Sequence, residues 1–139
     1  MLILDTNVIS EVLRQAPDEI VVSWFEAQPR QQLFTTAVTQ AEILYGITLL
    51  PKGNRRQKLL SIAQNIFDED LHDRILAFGS ETASHYADIA ALRKSLGKPI
   101  SQFDAMIASI AHLHGAAVVT RNPSDFDHCG INVINPWIS

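Results

Sequence analysis

Four carboxylates stand just after, or a few residues beyond, segments rich in β-forming residues. Asp5 follows Leu2-Ile3-Leu4, Glu42 comes after Leu33 to Val38, Asp104 opens a helical run, and Asp125 lies five residues past Thr120. In open α/β sheets, ligands bind beyond the carboxyl ends of the strands, so acids at those places can converge. Converged carboxylates repel one another unless cations lie between them, and Mg²⁺ or Mn²⁺, which prefer carboxylate oxygen and water, suit such a cluster. The chemistry this allows is hydrolysis by a metal-activated water, with the ions orienting a phosphate and stabilising the departing oxygen. No protein nucleophile is needed.

Each acid also has a purely structural explanation. Asp5 precedes Thr6-Asn7 and suits a helix cap. Thr39-Gln40-Ala41-Glu42 has the spacing of a capping box, in which the glutamate reaches back to the amide of the cap. Asp125, within Asn122-Pro123-Ser124-Asp125-Phe126, suits a turn. Asp104 is the least explained by structure. It has cap spacing from Ser101, yet Ala105 to Ala111 behind it is apolar on nearly every face. An ionised acid on a buried helix needs a paired charge, several donors or a metal.

The elements that must position these acids follow from the pattern of the chain. Leu2 to Leu4 reads as a short buried strand, with a helix from Asp5-Thr6-Asn7 to about Leu13. Pro17 and Asp18 open a second helix with Ile20, Val21, Trp24 and Phe25 at helical spacing, so the two form a helical hairpin. Leu33 to Val38 reads as a strand, and Thr39 begins a helix that Pro51-Lys52-Gly53 ends. Further helices are expected over about Arg55 to Glu69, Glu81 to Leu96 and Ser101 to His114, with a strand near Ile75 to Phe78. Gly115 caps the last helix, Ala116 to Thr120 follows as a buried strand, and Ile131 to Ile134 is a final short one. Strands alternating with helices predict an α/β fold of three layers: a central parallel sheet of four to five short strands with helices on both faces. Residues 1–139 read as one domain without repeat or linker.

Composition narrows the function. The single cysteine, Cys129, rules out an internal disulfide and fits a reducing cytoplasm. Asp5 interrupts the N-terminal apolar run at once, and no stretch approaches the roughly 18 apolar residues of a membrane span. A formal net charge of −4 is unfavourable for nucleic-acid binding. Bound cations would cancel part of it, and Lys52, Arg55, Arg56 and Lys58 crowd one stretch, read here as a solvated helix face. His112 and His114, two apart on a helix, point about 200° apart and cannot jointly grip zinc. His128-Cys129 has no second ligand pair, Trp24 and Trp137 read as core or interface residues, and Gly53, Gly79 and Gly97 stand singly rather than in a phosphate loop.

Taken in order, Leu2-Ile3-Leu4-Asp5-Thr6-Asn7, Thr39-Gln40-Ala41-Glu42, Phe103-Asp104-Ala105-Met106-Ile107-Ala108, and Val119-Thr120-Arg121-Asn122 with Asp125-Phe126 resemble the PIN-domain toxins. The resemblance is to the VapC and FitB-like branch of bacterial toxin–antitoxin ribonucleases and runs over nearly the whole chain. It implies that Asp5, Glu42 and Asp104 match the three recurring acids, with Thr6, Asn7 and Thr120 as polar supports. Many relatives carry an aspartate at Asn122; here Asp125 is the nearest carboxylate and takes the fourth place, with Asn122 as a neutral donor to water or phosphate. The resemblance further implies Mg²⁺- or Mn²⁺-dependent endonucleolytic cutting of structured RNA, transfer or ribosomal, leaving a 5′-phosphate and a 3′-hydroxyl. It implies a homodimer, a VapB-like antitoxin whose tail covers the acidic pocket, and contact with DNA only through that antitoxin.

Two other readings compete. A strand followed by Asp5-Thr6-Asn7 also resembles haloacid-dehalogenase phosphatases, in which the first aspartate is a nucleophile. Those enzymes expect an aspartate where Asn7 stands, and they leave Glu42 unexplained. The other reading is a catalytically inactive PIN scaffold that only binds its antitoxin.

Overall fold

The computed structural model describes residues 1–138. Five short strands, β1 (Leu2–Leu4), β2 (Leu33–Thr36), β3 (Ile75–Leu76), β4 (Ala117–Val119) and β5 (Val133–Ile134), form one parallel sheet in the order β3-β2-β1-β4-β5. β1 is central, with Leu2 registered on Leu33 in β2 and on Ala117 in β4. The chain builds outward from β1 through β2 to β3, then returns to the other side for β4 and β5. The order therefore reverses between β1 and β4, which is where a crevice opens beyond the strand ends in folds of this type.

Alternation along the strands sends successive side chains to opposite faces. Ile3 and Val118 face a core that includes Ile89, Ile107, Ala108, Ile110 and Ala111, contributed by α5 (Ala83–Ser95) and α6 (Gln102–His114). Leu4 and Val119 face a second core with Val8 and Ile9 of α1 (Thr6–Val12), Ile43 and Ile47 of α3 (Ala37–Thr48) and Ala63 of α4 (Asn54–Asn65). The expected three layers are thus present, with the sheet in the middle. α2 (Glu19–Glu26) follows α1 as expected, capped by the Asp18 carboxylate, which accepts from the Ile20 amide at 2.8 Å.

Two boundaries differ from expectation. The second strand ends at Thr36 rather than Val38, because the Thr36 hydroxyl caps α3 by accepting from the Thr39 amide at 3.1 Å. The fourth helix keeps α-form only to Asn65 and then widens into a π-turn over Ile66–Asp70. Gly115 ends α6 in the left-handed region at φ 62°, the role expected of it, since a side chain there would be strained. Among the described residues, no helix is long and apolar enough to cross a membrane.

Candidate active site

Asp5 leaves β1 at its carboxyl end and caps α1. Its Oδ1 accepts from the Thr6 amide at 2.8 Å. The structural role foreseen for it is real, but it occupies only one oxygen. Oδ2 accepts from the Thr120 hydroxyl at 2.8 Å and from the Asn7 side-chain amide at 3.4 Å. Thr120, the residue after β4, also accepts from Asn7 Nδ2 and from the Asn122 amide, each at 3.2 Å. The ends of β1 and β4 are therefore tied together by a polar lattice around one carboxylate. Asp5 is only 6% exposed, and this burial pushes its pKa up to about 6 despite the donors, with the negative charges of Asp104 and Glu42 adding to the rise.

Glu42 corrects the capping-box expectation. With α3 starting at Ala37, it lies in the second turn, where it cannot reach the cap, and its Oε1 instead accepts from the Thr6 hydroxyl at 2.9 Å. Asp104 sits in the first turn of α6, whose cap is the Ser101 hydroxyl accepting from the Asp104 amide at 3.2 Å. Its carboxyl in turn is hydrogen-bonded by the Ser101 side chain. Partial burial raises its pKa against the Ser101 hydrogen bond, the charge of Asp125 adds to the rise, and the Arg93 cation opposes it. Asp125 lies in the short 3₁₀ turn Pro123–Phe126 and is exposed.

All four acids line one open cleft of about 520 Å³, with Thr6, Asn7, Ser10, Glu11, Arg14 and Arg121. Thr120 stands behind Asp5 rather than in the wall. Asn122 is exposed and outside the lining, and its recorded contacts are those of its backbone. Among the described residues, no three histidine, cysteine or acidic side chains meet closely enough to form a ready-made metal cage. The acids face a shared space rather than one another.

Sequence reasoning missed three contributors. Glu11 is a fifth acid of the cleft, 4% exposed, already held by Arg14 at 2.9 Å and by the Asp18 amide at 3.0 Å. Arg93 of α5 is almost fully buried and donates to three carbonyls, those of Lys98, Asp125 and Asp127, at 2.7–3.0 Å. It pins the loop that carries Asp125. Arg121 lies 5.0 Å above the ring of Trp137, so that tryptophan, packed against the second core as expected, also serves as a platform for a cation. A buried arginine pairing with carbonyls and one buried thiol, Cys129, leaves no sequence pattern, whereas Arg121 stood in a quoted motif and went unused.

A second, larger groove of about 1070 Å³ adjoins the cleft and shares Thr6, Ser10, Arg14 and Glu42 with it. Apolar residues of α1, α3 and α4 line it, including Leu13, Ile43, Ile47 and Leu59. Arg55 and Lys58 line it as well and are exposed, as expected of a solvated helix face. His112 is a surface residue, with its Nδ1 2.7 Å from Nδ1 of His85 on the neighbouring helix.

Fold and site together define a small α/β protein with an acidic cleft at the switch point of a parallel sheet. The PIN-domain family model matches residues 2–131. A VapC ribonuclease of Sinorhizobium fredii is 40% identical, covering 99% of this chain and 98% of its own. Toxin FitB of Neisseria gonorrhoeae is 36% identical over 99% of both chains. A solved structure of FitAB bound to a DNA fragment superposes with a TM-score of 0.94 at 36% identity, over 100% of this chain and 97% of that one. The chain belongs to the PIN-domain family, in the VapC and FitB branch of toxin–antitoxin ribonucleases, and not with the haloacid-dehalogenase phosphatases.

Proposed function

We propose that this protein is a Mg²⁺- or Mn²⁺-dependent endoribonuclease, the toxin of a toxin–antitoxin pair in the cytoplasm. The observation that carries the reading is the assembly of Asp5, Glu42, Asp104 and Asp125 around one open cleft from four separated parts of the chain. The donor set fits the proposed ion. It is all oxygen, with no histidine or cysteine in the lining, which suits a hard cation. Acids spaced around a cleft rather than closed into a cage suit an ion that keeps several of its waters and takes only one or two carboxylates. Burial and neighbouring acids raise the pKa values of Asp5 and Asp104, and a bound cation would relieve both penalties.

Asp5 and Asp104 are the primary ion holders, with Glu42 and Asp125 completing the set. When bound, such an ion supplies charge stabilisation to a phosphodiester and acidity to water. The remaining work belongs to the chain. Thr120, Asn7 and the Thr6 amide fix both oxygens of Asp5, leaving it one orientation, and the Thr6 hydroxyl fixes Glu42. Fixed ligands need no reorganisation as charge develops on the phosphate. The substrate is structured RNA, transfer or ribosomal, cut to a 5′-phosphate and a 3′-hydroxyl. The adjoining apolar groove is the seat of an antitoxin segment that reaches into the cleft, and the toxin pairs as a homodimer that meets DNA only through that antitoxin.

The test is incubation of the purified protein, freed of any antitoxin, with total bacterial RNA and Mg²⁺ or Mn²⁺, beside Asp5→Asn and an EDTA control. Discrete fragments lost in both controls are expected. Intact RNA together with no measurable Mn²⁺ binding would instead establish an inactive scaffold.

A further inference from the structure

A protein of net charge −4 that presents four candidate acids to a phosphate chain needs positive charge at the cleft itself. Two arginines line the same cleft as the acids, Arg14 and Arg121, and neither is neutralised by them. Arg14 is fixed by Glu11, whose carboxylate accepts both its bonds through Nη1, at 2.9 and 3.2 Å. No hydrogen bond among the described residues uses Nε or Nη2 of Arg14, and its side chain is 61% exposed.

Arg121 is held differently. Its guanidinium makes no ion pair or hydrogen bond among the described residues and lies over the Trp137 ring. Its backbone is pinned on both sides: the amide donates to Asn7 Oδ1 at 3.1 Å, and the carbonyl accepts from Asn135 Nδ2 at 3.3 Å. The same Asn135 accepts from the Trp137 amide at 2.9 Å, so one side chain ties the arginine to its platform. Stacking keeps a planar cation in place while leaving its edge donors free, an arrangement lysine cannot reproduce. An unpartnered guanidinium beside four acids would collapse onto one of them unless something held it off, and Trp137 does so.

We infer that Arg121, stacked on Trp137, and Arg14, braced by Glu11, bind the RNA backbone phosphates on either side of the one being cut. They recognise backbone charge and not base identity, and the inference rests on the ribonuclease reading above. Arg14 stands where the cleft meets the larger groove, so phosphate contacts there mark the side on which the RNA leaves toward α4.

The experiment measures binding of bulk transfer RNA against salt in an Asp104→Asn background with Mg²⁺, and steady-state cleavage of the same RNA in the otherwise wild-type chain. Arg121→Ala and Arg14→Ala are each expected to raise Kd and KM by roughly fivefold or more, with kcat changed by less than about threefold. Each should also flatten the slope of log K against log salt by about 0.7 to 0.9, one phosphate contact. Arg121→Lys should restore the slope but only part of the affinity, and Trp137→Leu should weaken binding with the slope intact. Arg30→Ala, the same charge change at a residue that pairs with Asp70 outside the cleft, should leave the slope alone. Wild-type cleavage with unchanged Kd and slope in both cleft variants, or an equal loss in Arg30→Ala, overturns the inference alone. Failure of the wild-type chain to cut any RNA with either metal overturns the ribonuclease reading as well.

Discussion

The Thr120 hydroxyl donates to Asp5 Oδ2 at 2.8 Å across 115 residues of sequence, joining the carboxyl ends of the two strands at which the sheet reverses its order. Thr120 is fully buried, so the bond is made in a low dielectric and favours the ionised acid. Thr120→Val keeps the shape and removes the donor. The Asp5 pKa should then rise further, and the acidic limb of the kcat/KM profile should move to higher pH, while Thr120→Ser stays near wild type. Carbon-detected NMR titration of the Asp5 carboxyl checks the first outcome and pH–rate profiles the second. A Val variant with both unchanged would mean that this bond is only mortar.

Burial of Asp5 also links stability to pH. Its pKa rises from 3.8 to about 6 on folding, so the folded chain holds the proton more tightly. The stability this supplies is complete below pH 3.8 and is lost as pH climbs through about 6. Without metal at pH 7 the ionised acid therefore costs the fold on the order of 2 to 3 kcal/mol. Asp5→Asn, which loses one acceptor but no charge solvation, should stabilise the metal-free protein by about 1 to 2 kcal/mol at pH 7 and by almost nothing at pH 4. Urea unfolding in EDTA at the two pH values measures both.

How much of this could be read from residue order is clearest at particular positions. Period and punctuation place the strands, because Leu2 to Leu4 and Ala117 to Val119 are short apolar runs bounded by polar residues. The helix starting at Thr39 was misplaced because Thr36 and Thr39 both look like caps, and only the end of β2 decides between them. That error made Glu42 look structural when its partner is Thr6, 36 residues away. Arg93 was invisible for a related reason. Apart from the Cys129 sulfur, its partners are backbone carbonyls, which every residue possesses, so no residue type signals them.

Asp104 offers the cleanest separation of fold from metal. Its amide donates to the Ser101 hydroxyl that caps α6, and its carboxyl is penalised by partial burial and by Asp125, with the Ser101 side chain offsetting part of that penalty. Asp104→Asn should keep the melting temperature of the metal-free protein or raise it slightly. Mn²⁺ at about 100 times its Kd should stabilise the wild type by about 2.7 kcal/mol, a rise of a few degrees in Tm, and should have little effect on the variant. Equal thermal shifts in both proteins would remove Asp104 from the ion site.

Arg93 lets the Asp125 loop be tested without touching any acid. Its guanidinium is buried and satisfies the carbonyls of Asp125 and Asp127 in the loop and of Lys98, three residues past the end of α5. Removing a buried cation that carries these bonds orphans the carbonyls, so Arg93→Met should cost about 2 to 4 kcal/mol of stability. Lysine can reach one or two of them, so Arg93→Lys should lose less and remain folded. The informative readout is Mn²⁺ affinity in Arg93→Lys. If the loop position matters to the site, affinity falls, and it falls no further when Asp125→Asn is added, because both changes remove the same ligand. Additive losses would mean that Arg93 acts elsewhere, through its charge on Asp104, and that Asp125 is held in place by the turn alone.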